Sequence, residues 1–383
     1  STLTIGHATN IATAGIGGIT LNGTSALSIG AVAVAIGNAT YRGDIVMNDN
    51  STLTTTGASN ITLSGTWTKG NDATITLDAA TIFSFVGPTA LSLPSTVNNF
   101  ATLTVNKVGS TVTLNGDMTT SANVTLTNGT IIVRDYNLSI GGTTGIAAGA
   151  TLNADYTDAN ITRVFTGAVT INGTLNSSGP RIAAGNNNTF TAAMSIPATG
   201  VLNINNSKTT FTSTLAGAAA GAVVNALGTD LYFNGVVTFT NLTLNTNSNT
   251  DLTMNPGAAQ SIPALTCKNA SFTAAGANIT MTGNLTVYGN LIIASAGALG
   301  LDVDTYTLTV YGDFNNSTAT SVIDLTAGVL NLYGTVTDWG NSPTEFLTGA
   351  GTTLNILGSG ALAPFPAAGA AVNLGNEIGR AHV

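Results

Sequence analysis

LTLNT (242–246), LTCKN (265–269), LTVYG (285–289), LTVYG (308–312), LNLYG (330–334) and LNILG (354–358) are six copies of one five-residue pattern, with starts 23, 20, 23, 22 and 24 residues apart. A period in the twenties means a small unit that stacks on its neighbours, because one copy alone has too little apolar surface to fold. The first and third residues of each copy are apolar: Leu242/Leu244, Leu265/Cys267, Leu285/Val287, Leu308/Val310, Leu330/Leu332 and Leu354/Ile356. Side chains alternate across a strand, so these face a core and the second and fourth places face out. One outward row is Thr243, Thr266, Thr286, Thr309, Asn331 and Asn355, and the next is Asn245, Lys268, Tyr288, Tyr311, Tyr333 and Leu357. Gly289, Gly312, Gly334 and Gly358 hold the fifth place and mark a corner.

Working outward, a second inward set precedes the box (Ile279/Met281, Leu301/Val303, Ile323/Leu325) and a third follows it (Leu291, Phe314, Val336). Three short strands per turn of roughly 22 residues, joined at Gly and Asn corners, describe an all-β protein, a parallel, right-handed β-helix or β-solenoid. A string of β-sandwich domains is the alternative, but a sandwich has no reason to repeat at this period. Regular repeats are expected over 101–377, cleanest from 242, with 1–100 forming irregular solenoid turns or a cap. In that first part ITLNG (19–23), DIVMND (44–49), NITLSG (60–65) and ATITLDA (73–79) read as strands, and Trp67 with Phe83 to Phe85 as a bulkier cap or insertion. GNNN (185–188) and the Ala-rich 216–224 read as longer loops or a coil with an insertion. Residues 378–383, IGRAHV, back-translate into a common sequencing adapter, so they are expected to be a non-native tail replacing a natural continuation after Glu377.

Charged residues make up only 7% of the chain, so the polar surface is hydroxyl and amide. With a net charge of −8 and Lys and Arg scattered singly, no basic cluster exists to bind nucleic acid. A mean hydropathy of +0.33, with Thr, Val and Ile throughout, argues for a folded β protein against disorder. No apolar run approaches the roughly 20 residues of a transmembrane segment. The lone cysteine, Cys267, rules out an internal disulfide and, at an inward place, reads as a small buried hydrophobe. His7 has no acidic or cysteine neighbours and makes no metal site.

The run 91–142 carries Asn98, Asn99, Leu103, Val105, Val112, Leu114, Val124, Leu126, Leu138 and Ile140 in an NNLTI-type strand, a VTLNG strand, a second VTL strand and a TLTIGG-type close. This resembles the repeats of large, adhesin-like surface proteins that bacteria export through a C-terminal sorting signal. The resemblance implies export to the extracellular space or cell surface and a repetitive β architecture. It brings no catalytic residue.

Two outward features carry possible chemistry. Asp302 and Asp324 fall at one outward place in consecutive turns, with Asp304 beside the first, and stacked carboxylates about 5 Å apart suit calcium or a retaining glycosidase pair. The plainer reading is two solvated acids on an exposed face. Tyr288, Tyr311 and Tyr333 form an outward file suited to a glycan or to lateral contact with another copy; the plainer reading is a stabilising stack. The expected function is that of an extracellular structural protein, not an enzyme: an adhesin stalk or a filament subunit that self-associates end to end or laterally. The alternative is a carbohydrate-active β-helix, hydrolase or lyase, or a glycan-binding module. Such β-helix enzymes need clustered acids with Arg or Lys, which this composition hardly supplies.

Overall fold

The computed structural model describes residues 2–7, 9–11, 17–273, 278–294, 300–316, 322–339, 346–348 and 351–363; the expected tail, 378–383, lies outside them. Among the described residues there is no helix. Parallel strands stack as a β-solenoid of about 15 turns, roughly 22 residues apart. The chain divides into two units, Ser1–Asn203 and Ile204–Val383.

In the second unit the boxes form one sheet from Leu265–Cys267, Leu285–Val287, Thr307–Val310, Val329–Leu332 and Thr353–Ile356. Leu265, Leu285, Leu308, Leu330 and Leu354 stand in register down it. A second sheet holds Gln260–Ile262, Ile279–Met281, Leu301–Asp302, Ile323–Leu325 and Phe346–Thr348. The third runs from Lys208–Phe211 to Val336–Asp338. Leu285, Leu308, Leu330, Ile279, Leu301, Ile323, Leu291 and Phe314 are all fully buried between the three. Each such side chain contributes about 1.5–3 kcal/mol, repeated at every turn.

Residues 216–224 are not one long loop. Leu215–Gly217 and Ala222–Asn225 are strands, with Ala222 and Val224 buried opposite Leu242 and Leu244. Alternation survives there because alanine fills an inward place that leucine takes one turn later.

In the first unit, stacking is already established before residue 100. Gly17–Leu21, Gly43–Met47 and Trp67–Lys69 form one face; Thr2–Ile5, Ala26–Ile29, Thr52–Thr55 and Thr74–Thr76 form another. A third begins with Thr9–Ile11, Ala33–Ile36, Asn60–Leu63 and Ile82–Val86. Its early turns are long: Ile19 pairs with Ile45, Leu27 with Leu53 and Val34 with Ile61. That length hides the period in the sequence. Trp67, Phe83 and Phe85 are core residues of these turns, not an insertion; Phe83 meets Trp67 at 5.8 Å and Phe100 edge-on at 5.2 Å between ring centroids.

Outside the core, amide side chains join turn to turn. Nδ2 donates to the preceding Oδ1 from Asn48 to Asn22 (2.8 Å), Asn128 to Asn106 (2.8 Å), Asn203 to Asn176 (2.7 Å), Asn245 to Asn225 (2.7 Å) and Asn355 to Asn331 (2.8 Å). At a corner of the second unit, Asn290 N donates to Asn269 Oδ1 at 2.8 Å and Asp313 N to Asn290 Oδ1 at 2.9 Å. Stacking the same polar residue on successive turns satisfies its donors and acceptors without like-charge repulsion, which accounts for the Asn-rich composition.

Candidate functional site

The box sheet presents the tyrosine file as expected, because Tyr288, Tyr311 and Tyr333 each follow an inward residue of the ladder. Their backbone nitrogens donate one turn back, to Cys267 O (3.0 Å), Val287 O (2.9 Å) and Val310 O (2.9 Å). The rings stack on one another: Tyr288 and Tyr311 lie 5.1 Å apart at 10°, Tyr311 and Tyr333 4.5 Å apart at 21°. All three remain exposed, at 51%, 42% and 38%. Face-to-face stacking covers both faces of Tyr311, so the row offers solvent its ring edges and leaves little ring face for a sugar. Exposed Leu357 continues the file one turn on.

Asp302 and Asp324 are in register on adjacent strands. Their carboxylates, however, are engaged in their own corners. Asp302 Oδ1 accepts from Asp304 N at 2.9 Å, and Asp324 Oδ1 accepts from Thr326 N at 2.8 Å and from the Thr326 hydroxyl. Asp304 is exposed and turns the chain at φ 52. Among the described residues, no group of three or more His, Cys, Asp and Glu is arranged to hold a metal ion.

The boxes at Leu242 and Leu265, aligned by the repeat, are not paired to each other. Leu242–Asn245 pairs back to Ala222–Asn225, and the sheet containing Leu265–Cys267 starts afresh. Lys268 N donates instead to Thr250 O at 2.7 Å. The cause is the corner 246–250, which separates the Leu242 box from its next strand, Asp251–Met254, whereas Cys267 is followed almost at once by Asn269–Phe272. An open groove of about 380 Å³ results, lined by Leu244, Asn245, Thr246, Ala264, Leu265, Thr266, Asn284 and Thr286. None of these side chains ionises.

Two buried cations escaped the reading of the sequence. Lys107 is fully buried, and its Nζ donates to three carbonyls: Ser64 O (3.1 Å), Val86 O (2.9 Å) and Thr89 O (2.7 Å). Burial pushes its pKa down to about 8. Arg163 is also fully buried; Nε donates to Ala154 O at 3.2 Å, Nη1 to Thr162 O at 3.2 Å and to Tyr136 O, and Nη2 to Arg134 O. Burial lowers its pKa to about 10 against the opposing pull of Tyr156 and Asp135. The signal was alternation: Lys107 continues the inward file of Leu103 and Val105, and Arg163 shares an inward file with Phe165. Each cation is held by backbone carbonyls, so both act on folding and neither faces a ligand.

Cys267 is buried where the ladder places it, and burial, helped by Asp251, pushes its thiol up to about 12. The shift leaves about a thousandfold less thiolate than an ordinary cysteine at neutral pH. Iodoacetamide should therefore leave the native chain unmodified over hours and label Cys267 quickly in urea, as read by intact mass. His7 is exposed. Comparison with protein-family models, curated proteins and solved structures gave no match.

Proposed function

We propose that this chain is an extracellular structural protein, a surface stalk or the subunit of an extracellular filament. The observation that carries the reading is the disposition of its polar side chains. Many of the Asn, Asp and Thr side chains hydrogen-bond turn to turn or close their own corners, as Asp302 and Asp324 do. Such ladders stiffen a solenoid, and one oxygen of each of Asp302 and Asp324 is already held by the backbone two residues on. Tyr288, Tyr311, Tyr333, Ile292 and Leu357 are among the exposed apolar side chains and offer contacts for lateral association. No helix among the described residues is long and apolar enough to cross a membrane.

The test pairs negative-stain electron microscopy with a polysaccharide panel. Concentration-dependent linear or side-by-side assemblies are expected, with no release of reducing ends or unsaturated sugars. Sugar release that disappears in Asp302→Asn or Asp324→Asn would overturn the structural reading in favour of an enzyme.

A further inference from the structure

A chain with one buried cysteine cannot tie its turns together with a disulfide. The tyrosine file offers a different covalent chemistry. Three phenols stand on three successive turns, stacked at 5.1 and 4.5 Å with interplanar angles of 10° and 21°, and all are open to solvent. Near-parallel rings at that separation bring facing ring carbons close to van der Waals contact. The strand pairing of Leu285–Val287, Thr307–Val310 and Val329–Leu332 holds them there.

We propose that this file is an oxidative cross-linking site, at which Tyr311 couples to a stacked neighbour to give an intrachain dityrosine. The oxidant is of the peroxidase class, with hydrogen peroxide as the terminal acceptor. Each of two phenols loses one electron and its phenolic proton. The two radicals join through the ring carbons ortho to the hydroxyls, and the hydrogens on those carbons move to the oxygens as the rings regain aromaticity. One carbon–carbon bond forms, two hydrogen atoms leave the protein, and one hydrogen peroxide becomes two waters.

Stacking decides the partner. Tyr311 has a neighbour on either side, whereas Tyr288 and Tyr333 are two turns apart and separated by its ring. The closer pair, Tyr311 with Tyr333, is the favoured product. Because the reacting rings are pre-positioned, coupling is unimolecular and outruns coupling between chains. The product bridges adjacent turns, the task a disulfide performs elsewhere.

The experiment treats the full chain with peroxidase and hydrogen peroxide, and follows dityrosine fluorescence and peptide mass spectrometry. The expected product is a peptide pair joining Tyr311 to Tyr333 or Tyr288, lighter by two hydrogens, with a yield per chain unchanged on tenfold dilution. Tyr311→Phe keeps the ring and the stack and should abolish the intrachain product; Tyr41→Phe, at an exposed tyrosine outside the file, should leave it intact. A yield that falls with dilution, a link elsewhere, or an intrachain product that persists in Tyr311→Phe overturns the proposal.

Discussion

Gly312→Ala, the addition of one methyl group, is expected to cost the second unit about 3 kcal/mol, the upper end of what overpacking costs. The glycine corners Gly289, Gly312, Gly334 and Gly358 are not among the residues in the left-handed region, so no backbone conformation demands glycine there. What demands it is the turn before. A Cβ on Gly312 would fall inside the backbone of Gly289, one on Gly334 inside the Gly312 carbonyl, and one on Gly358 inside the Tyr333 carbonyl. Backbone in a stacked ladder cannot swing aside as a flexible side chain does. Gly145→Ala is the control, since a Cβ there meets nothing within 4 Å and the residue lies within a strand. That change should be neutral or slightly stabilising. Urea denaturation followed by tryptophan fluorescence separates the two units, because Trp67 is buried in the first and Trp339 in the second. In a Trp67→Phe background, Gly312→Ala should move the Trp339 transition to lower urea. An unmoved transition would mean that the turns can spread at this corner.

Lys107→Met should have the largest effect in the first unit. Methionine fills a similar volume but gives nothing to the Ser64, Val86 and Thr89 carbonyls that now receive Nζ. Leaving three buried acceptors without that donor outweighs the relief of uncharging the site, and the net loss is about 2–4 kcal/mol. The pH dependence supplies an independent check. Burial holds the folded pKa at about 8 against an ordinary value of 10.5. Below about 8 both states carry the proton, and the folded state bears the full cost of the buried charge. Between about 8 and 10.5 the unfolded chain binds one proton more than the folded one, so stability rises with pH across this window. The diagnostic quantity is the difference between wild type and Lys107→Met. The rise should be smaller in the variant. Equal slopes would mean that the carbonyl cage keeps the ammonium charged as readily as water does.

The architecture was legible because one strand per turn repeats nearly unchanged: Leu285, Leu308 and Leu330 give the period, and Val287, Val310 and Leu332 the alternation that separates inside from outside. The tyrosine file followed from the same alternation. The break between the Leu242 and Leu265 boxes was not legible, since the boxes look alike and the difference lies in the corner after them. The start of the chain was hard to order because Ile19, Leu27 and Val34 pair with Ile45, Leu53 and Ile61, 26 or 27 residues on, before Ile61 and Phe83 settle to a step of 22. Lys107 and Arg163 were passed over because charge suggests solvent, although their places in the alternation point inward. Asp302 and Asp324 came together as the spacing said. The direction their carboxylates take depends on Asp304 and Thr326, two residues on in each case, which register alone does not reveal.

The amide rungs from Asn22–Asn48 to Asn331–Asn355 have a consequence for the conditions this protein tolerates. A surface cemented by ion pairs loosens in brine and comes apart in acid, as counterions screen it and carboxylates take up protons. An amide-to-amide bond has no proton to gain and no charge to screen. Along these rungs, one turn should grip the next equally well in fresh water, in sea water and in an acidified medium.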